Sequence, residues 1–193
     1  MTIHLLLGRQ GSGKTLLLVK LAHEYFKQGK KVYSNVKLNF PFNPIDYNDI
    51  IECNLMDTIV LIDEIHLLLP SRRALSNLNT EICDNFLSMA RKQNTDIFGS
   101  TQTMRKVDIR FREEADYIYV CNKYVYNELS KQWVEALHTH VFDKNVPILI
   151  EVDVTETYSG ETKTMIFMGN DYFDLYDTRE IVKIKGLPKK FKK

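Results

Sequence analysis

The sequence has few cysteines, no long apolar run and almost no net charge. Its three cysteines, Cys53, Cys83 and Cys121, lack pair spacing, which favours a reducing compartment and argues against a disulfide framework or zinc site. No apolar run approaches the roughly 18–20 residues of a membrane-spanning helix, and the N-terminus does not resemble a signal peptide. A net charge of +1 provides no global basic field, so contact with nucleic acid would require local patches.

The chain does contain enough apolar side chains for a packed core. Hydrophobic residues make up 44% of the 193 residues, which is too high a share for a disordered chain. The length fits one domain, or one domain with a small appendage. Together these features predict a soluble intracellular protein.

Hydrophobic patterning predicts strands that alternate with helices over the first two thirds of the chain. Strands are expected at residues 3–7, 31–34, 58–62, 97–101 and 117–121. Helices are expected at residues 15–28, 65–69 and 81–92, and the stretch 39–44, rich in proline and asparagine, is expected to be a loop. This alternation predicts an α/β fold with a mainly parallel central sheet flanked by helices.

The last third of the chain has a different pattern. Apolar and polar residues alternate over 148–155, a turn is expected at Tyr158–Glu161, and a further strand is expected at 164–168. This pattern predicts a half-exposed antiparallel β-hairpin.

A glycine-rich loop joins the first predicted strand to the first predicted helix. Its eight residues are Gly8, Arg9, Gln10, Gly11, Ser12, Gly13, Lys14 and Thr15. The glycines let the backbone approach phosphate oxygens, and the helix presents its positive end to them. The pattern in this context predicts a phosphate-binding loop for ATP, with Lys14 on the β- and γ-phosphates and Thr15 on Mg²⁺. The alternative is a chance glycine turn, which leaves Lys14 without a role.

Two acidic residues close the buried strand predicted at 58–62. Asp63 is expected to hold the Mg²⁺ shell beside Thr15, and Glu64 is expected to orient and deprotonate the attacking water. A kinase that transfers phosphate to a metabolite does not need such a glutamate. The alternative is a strand that ends in solvated acids.

The strand predicted at 97–101 leads into Gln102. A polar side chain at this strand end can bind the γ-phosphate or the attacking water and report the nucleotide state, so Gln102 is a third candidate. The alternative is an ordinary polar strand end.

These motifs occur in the same order in the FtsK-HerA superfamily, which the chain resembles. The resemblance rests on the loop Gly8–Thr15, the pair Asp63-Glu64, the Arg91 helix followed by Gln102, and the run 110–120. Within the superfamily the chain is similar to Zot-like proteins and to genome-packaging ATPases of membrane-containing icosahedral viruses, including archaeal ones. The ending 173–180 is also similar to Zot-like chains. The resemblance implies a RecA-like P-loop NTPase fold.

The superfamily further implies a DNA translocase that works as a homo-oligomeric ring, usually a hexamer. An arginine from the neighbouring subunit then completes the ATP site by stabilising transition-state charge. Arg91, just before the strand that leads to Gln102, is the first candidate, and Arg110 and Arg112 are the second. Each could instead be a solvated surface arginine.

Basic residues elsewhere are candidates for DNA contact. Arg72 and Arg73 could face DNA, and Arg105-Lys106 lies close to Gln102. The tail Lys189–Lys193 could bind phosphates without reading sequence, or it could be a disordered solubilising end. His138 and His140 lack a third ligand, so no metal site is expected there.

These observations predict one ATPase domain over residues 1–193. Residues 1–121 form its nucleotide-binding core, 122–180 its C-terminal extension with the hairpin, and 181–193 its basic tail. The predicted function is ATP-driven translocation of double-stranded DNA, packaging a viral genome into a preformed capsid.

Several expectations follow from that function. The cofactors are ATP and Mg²⁺, and the further partners are capsid or inner-membrane vertex proteins. Zot proteins of filamentous phages usually carry a membrane segment that this chain lacks, which favours the packaging type. The expected location is the host cytoplasm, with or without association with the virion. The alternatives are a Zot-like assembly or extrusion ATPase that DNA does not drive, and a nucleotide kinase.

Overall fold

A mixed β-sheet organises the chain. The computed structural model describes residues 2–52, 55–73, 75–88, 92–136 and 145–177. Within them, nine strands form one sheet. The strands are β1 (Ile3–Leu7), β2 (Lys31–Ser34), β3 (Asn43–Pro44), β4 (Thr58–Ile62), β5 (Asp96–Thr101), β6 (Tyr117–Asn127), β7 (Gln132–Glu135), β8 (Ile148–Glu156) and β9 (Thr162–Met168).

Short helices connect most of these strands. The α-helices of the described ranges are α1 (Lys14–Lys27), α2 (Tyr47–Glu52), α3 (Asn77–Glu81) and α4 (Ile109–Glu113). A π-helical segment, Ile82–Leu87, continues α3. Shorter 3₁₀ segments lie at Ile65–Leu67, Ser71–Arg73, Met104–Lys106 and Gly169–Leu175.

The strand order places β1 in the middle of the sheet. The order is β3-β2-β4-β5-β1-β6-β8-β9, and β7 pairs with β6 beyond this path. All neighbours from β3 to β6 are parallel, whereas β6, β8 and β9 pair antiparallel, as do β6 and β7. The carboxyl ends of β1, β4 and β5 therefore meet at one edge, which is where doubly wound sheets bind ligands. The predicted α/β class, mainly parallel sheet and C-terminal antiparallel hairpin are confirmed.

Apolar clusters cover both faces of the parallel part of the sheet. Every residue of β4 and β5 is buried, as expected for strands that helices cover on both sides. On one face α1 packs with Phe98 and with the inward side chains Ile148, Ile150 and Val152 of β8. On the other face Phe111 of α4 packs with side chains from α2 and the π-helical segment. The hairpin thus extends the sheet and also covers α1.

Several predicted boundaries differ from the structure. The stretch predicted as loop contains the two-residue strand β3, and the helix predicted at 65–69 is a 3₁₀ turn that ends at Leu67, shortly before Pro70. The helix predicted at 81–92 begins instead at Asn77 and widens into the π-helical segment. Asn77 and Thr80 are weak helix formers, so sequence patterning gave no sign of the earlier start.

Strand β6 is longer than predicted and pairs with the unpredicted strand β7. The turn between them contains no glycine, and Lys131 occupies its left-handed position with a φ of +53°. The Asn127 carboxamide oxygen accepts hydrogen bonds from the backbone N–H groups of Leu129 at 3.0 Å and Ser130 at 3.2 Å. Strand β6 runs through residue 121 without a break, and the division at that residue stays a prediction. Across the described ranges, no helix has the length and apolar character of a membrane span.

Candidate active site

The loop between β1 and α1 depends on glycine for its shape. Gly8, Gly11 and Gly13 have φ angles of +154°, +78° and +96°, in the region that disfavours residues with a side chain. A Cβ on Gly8 would meet Ser12 and lie 2.9 Å from the carbonyl oxygen of Cys121. A Cβ on Gly13 would lie 2.6 Å from Cδ1 of Ile150. Strands β6 and β8 therefore contact the loop and leave no space for a side chain at Gly8 or Gly13.

The N-terminus of α1 has the properties of an anion site. Its first turn contains no acidic residue, and Gly13 at its N-cap provides no capping side chain. The Ser12 hydroxyl is buried and has no hydrogen-bond partner within the described part of the chain. The positive helix end and an unsatisfied buried donor fit the phosphates of a nucleotide.

The Lys14 amine lies inside this loop. Its Nζ donates hydrogen bonds to the carbonyl oxygens of Gly8 at 2.9 Å and Arg9 at 3.0 Å. Burial lowers the pKa of Lys14, and the nearby carboxylates of Glu64 and Asp63 oppose this shift. A phosphate at the loop would give the amine a charge-assisted partner, which is stronger than a neutral carbonyl.

Asp63 is fixed by partners from three other elements. Thr15 Oγ1 donates to its Oδ2 at 2.8 Å, and Ser100 Oγ donates to its Oδ1. Asn35 after β2 binds the Asp63 backbone twice, with its Oδ1 2.8 Å from the N–H and its Nδ2 2.9 Å from the carbonyl oxygen. The adjacent oxygens of Thr15 and Asp63 are the ligand type that Mg²⁺ prefers, so the pair fits this ion.

Glu64 follows directly, in a constrained backbone conformation. Its φ of +54° and ψ of +52° lie in the left-handed region, and its N–H donates to Ser100 Oγ at 3.1 Å. His66 Nδ1 lies 3.1 Å from Oε2 of its carboxylate, and Gln102 Nε2 lies 3.5 Å from Oε1. Since Glu64 is partly exposed, its carboxylate can reach a water at the mouth of the site.

Five of the predicted side chains lie together at this edge. They are Lys14, Thr15, Asp63, Glu64 and Gln102. Arg91 lies outside the described residues.

Sequence reasoning assigned no role to Asn35, Ser100 or His66, which hold Asp63 and Glu64. Asn35 directly follows β2, and Ser100 is the penultimate residue of the buried strand β5, so both are polar residues at the carboxyl ends of strands. That position is the one signal that could have identified them.

Arg110 has a structural partner in its own subunit. Its guanidinium binds both oxygens of the fully buried Asp108, each at 3.0 Å, and also contacts Thr80 Oγ1 at 3.2 Å. Asp108 in turn caps α4. Such bidentate pairs fix side chains strongly, so Arg110 joins α3 to α4 here.

Two 3₁₀ turns bring basic residues together next to Gln102. An isolated β-bridge between Pro70 and Val107 aligns the turns Ser71–Arg73 and Met104–Lys106, and we term these two turns the basic turn pair. Arg72, Arg105 and Lys106 are exposed on it. The structure thus unites two basic segments that are more than thirty positions apart in the sequence.

A cleft opens between the phosphate-binding loop and the hairpin β6–β7. Its volume is about 420 Å³, within the range of ligand pockets. Arg9, Gln10 and Ser12 line it from the loop, and Asn122 and Glu135 line it from the hairpin. The cleft is continuous with the phosphate-binding loop and large enough for a nucleoside.

Other sequence candidates do not add to this site. Within the described ranges, no group of three or more histidine, cysteine, aspartate or glutamate side chains could hold a metal ion. His138, His140 and the tail Lys189–Lys193 lie outside the described residues.

Comparison with protein families gives one match. The model of the family described as Zonular occludens toxin (Zot) matches residues 45–146, more than half of the 193 residues. No curated protein matches the chain.

Solved structures have the same fold. The crystal structure of the N-terminal domain of zonular occludens toxin from Neisseria meningitidis has a TM-score of 0.64 at 22% identity, covering 91% of this chain and 98% of that one. The genome packaging NTPase B204 from Sulfolobus turreted icosahedral virus 2, in complex with ATP-gammaS, has a TM-score of 0.54 at 15% identity, covering 84% and 95%. The DNA-packaging ATPase B204 from Sulfolobus turreted icosahedral virus has a TM-score of 0.51 at 14% identity, covering 84% and 96%.

Proposed function

The chain belongs to the zonular occludens toxin (Zot) family, and on that premise we propose that it is an ATPase that translocates double-stranded DNA. Its specific task is to package a viral genome into a preformed capsid. The observation that carries the ATPase part is the arrangement of Lys14, Thr15, Asp63 and Glu64 at one sheet edge. The likeness to a genome packaging NTPase supports the choice of task.

ATP binds with its phosphates at the N-terminus of α1. The Lys14 amine moves from the loop carbonyls to the β- and γ-phosphates, and backbone amides of the loop surround the phosphate oxygens. Thr15 and Asp63 would hold Mg²⁺, which would neutralise charge on the phosphates. Ser100 and Asn35 keep the Asp63 carboxylate directed at this position.

Glu64 activates the attacking water. Its carboxylate follows Asp63 directly and is partly exposed, so it can accept a proton from a water in line with the γ-phosphate. Gln102, within 3.5 Å of Glu64, lies close to the same water and γ-phosphate and therefore responds to the nucleotide state. It transmits a change of nucleotide state to the basic turn pair that follows it.

The nucleoside occupies the cleft beside the loop. With the phosphates fixed at the N-terminus of α1, the cleft between the loop and the hairpin β6–β7 is next to them. Asn122 offers an amide to the edge of the base, and the Glu135 carboxylate can accept hydrogen bonds from ribose hydroxyls.

DNA contacts the basic turn pair. Arg105 and Lys106 are exposed and closely follow Gln102 in the chain, and the exposed Arg72 lies on the adjoining turn, so phosphate contacts there can respond to the nucleotide state. In the proposed assembly a hexameric ring surrounds DNA, and Arg91 of the neighbouring subunit completes the ATP site. The ring works in the host cytoplasm and docks on capsid or inner-membrane vertex proteins.

A second candidate is an assembly or extrusion ATPase that DNA does not drive. The family match and the fold of the Neisseria meningitidis domain favour it. The two functions differ in their response to DNA. A nucleotide kinase differs from both, because it consumes ATP only when an acceptor nucleoside or nucleotide is present.

The test is steady-state ATP hydrolysis with and without double-stranded DNA. We expect DNA to stimulate hydrolysis, and Glu64→Gln to remove the stimulation and leave only a slow residual hydrolysis while ATP still binds. Replacing Arg72, Arg105 and Lys106 by glutamine should reduce the stimulation and lower the salt slope of DNA affinity by about 1 per lost phosphate contact. Glu128→Gln, in the exposed turn between β6 and β7, is the matched control for Glu64→Gln. Hydrolysis indifferent to DNA would favour the extrusion ATPase.

A further inference from the structure

The Glu64 carboxylate has one side-chain neighbour at each oxygen. His66 Nδ1 lies 3.1 Å from Oε2, and Gln102 Nε2 lies 3.5 Å from Oε1. The contact with His66 is the shorter one. Gln102 is exposed, whereas His66 is partly buried. The Gln102 contact is a long hydrogen bond to Oε1, whereas Oε2 is buried and has no hydrogen-bond partner within the described residues. His66 Nδ1 is the neighbour placed to satisfy Oε2.

The turn that carries His66 is rigidly attached to the sheet. The Leu67 N–H donates to the Glu64 carbonyl oxygen at 2.8 Å, closing the 3₁₀ turn. Ile65 packs over Gly99 of β5 so closely that a Cβ there would lie 2.6 Å from its Cδ1. The imidazole therefore starts from a backbone whose position relative to Glu64 is fixed.

The contact between His66 and Glu64 is a charge contact, because Oε2 of Glu64 is buried and has no hydrogen-bond partner within the described part of the chain. An ionised carboxylate only accepts hydrogen bonds, so Nδ1 of His66 must carry a proton to donate one to this oxygen. Burial lowers the pKa of His66, and Lys106 adds to this effect, whereas Glu64 and Asp63 oppose it. Thr101 Oγ1 forms a long hydrogen bond with Nδ1, at 3.4 Å, and also donates to the Thr103 carbonyl oxygen at 3.3 Å.

We propose that His66 is a positioning residue for ATP hydrolysis, and that in the ATP-bound enzyme its Nδ1–H turns to the unsatisfied Oε2 of Glu64, 3.1 Å away, and holds the carboxylate towards the attacking water. A glutamate has three side-chain torsions, and a free carboxylate at the mouth of the site would sample orientations that cannot take the water proton. Restraint of one oxygen by His66 leaves lone pairs of the other available to the water. The proposal rests on the proposed ATPase function and assigns His66 no contact with the nucleotide.

The test compares His66→Ala, His66→Asn and His66→Gln in steady-state ATP hydrolysis. The Asn amide nitrogen can take the place of Nδ1, and the Gln amide nitrogen takes that of Nε2. Loss of a hydrogen bond to a charged group predicts a fall in kcat of roughly tenfold to hundredfold for Ala and Gln, with KM for ATP within about twofold. His66→Asn should restore most of kcat. His23→Asn on α1 is the matched control and should behave as wild type.

The same changes in the Glu64→Gln background separate positioning from a general structural effect. With the carboxylate already removed, His66→Ala should cause no further loss in single-turnover hydrolysis, whereas an undiminished loss would overturn the proposal. Equal kcat for the Asn and Gln variants would overturn it as well. Thermal unfolding and ATP binding identify any variant that fails to fold. If His66→Ala is one of them, the comparison of kcat between His66→Asn and His66→Gln decides the test. If wild type hydrolyses ATP and no His66 variant differs, the inference alone fails. If wild type binds ATP without hydrolysing it, the proposed function fails and the inference with it.

Discussion

The parallel and antiparallel halves of the sheet differ in how far their strands are enclosed. Every residue of β4 and β5 is buried, whereas every residue of β7 is exposed and β9 is mostly exposed. The carboxylates and hydroxyls at the carboxyl ends of β4 and β5 therefore come from strands with almost no freedom to move. Catalytic groups need such rigid support, whereas the walls of a nucleotide cleft do not.

The two halves meet at the phosphate-binding loop. Ile150 of β8 packs against Gly13, and the Cys121 carbonyl of β6 lies next to Gly8. The antiparallel half thus limits the shape of a loop whose chemistry belongs to the parallel half. Three measurements test this division.

The largest expected effect is an acid sensitivity of the parallel half. His4 of β1 stacks on Phe98, with ring centroids 3.9 Å apart, and burial lowers its pKa from 6.5 to about 4. Between pH 4 and pH 6.5 the unfolded chain binds more protons than the folded chain. The contribution of His4 to the free energy of unfolding is therefore fully present above pH 6.5 and is lost as the pH falls towards 4. At about 1.36 kcal/mol per pKa unit, the loss is about 3 kcal/mol.

Urea unfolding at a series of pH values measures this loss. His4→Gln should remove most of the pH dependence, although it also lowers stability at neutral pH. His23→Gln, on the partly exposed part of α1, is the control and should retain the dependence. An unchanged pH profile in His4→Gln would assign the acid sensitivity to other groups.

A smaller effect is expected at the junction of the halves. Gly13→Ala should destabilise the fold by about 2 kcal/mol, through its positive φ and its clash with Ile150. Removing the Cδ1 methyl in Ile150→Val should recover about 1 kcal/mol of that loss. Gly29→Ala is the matched control, since Gly29 has a φ of +83° but no atom within 4 Å of its Cβ position. Urea unfolding of the single and double variants measures the interaction energy between Ile150→Val and each glycine substitution. An equal interaction energy with Gly13→Ala and with Gly29→Ala would contradict a contact between the halves.

The smallest effect is expected in the cleft of the antiparallel half. Asn122→Ala and Glu135→Ala should each weaken ATP binding about threefold to tenfold, the effect of one lost hydrogen bond. Neither should alter the affinity for tripolyphosphate, which lacks the nucleoside. Calorimetric titration with both ligands measures this, with Glu128→Ala as control. A parallel loss of both affinities would place these residues at the phosphates instead.

Local motifs made the parallel half predictable from sequence. The loop Gly8–Thr15 and the pair Asp63-Glu64 are contiguous, and each needs a specific residue type at a specific position. The alternation over 148–155 likewise predicted the inward side chains Ile148, Ile150 and Val152. Each of these patterns is complete within about ten residues.

Partners distant in sequence were not predictable. Asn35 binds the backbone of Asp63 from 28 positions away, and Ser100 binds its side chain from 37. Only the order of the strands brings these residues together, and spacing does not reveal that order. Strand β7 was missed for another reason, because the Asn127 side chain closes its turn without the glycine or proline that usually indicates one.

The tip of the hairpin β8–β9 offers a practical attachment point. Glu156, the last residue of β8 before the turn, pairs with Tyr117, and Tyr117 also pairs with His4 near the start of β1. The catalytic side chains lie at the carboxyl ends of the parallel strands. The tip of the hairpin therefore lies at the opposite edge of the sheet. Tyr158 in this turn is 79% exposed. A fluorophore or affinity handle inserted between Tyr158 and Gly160 would therefore report on assembly or immobilise the protein without touching its chemistry.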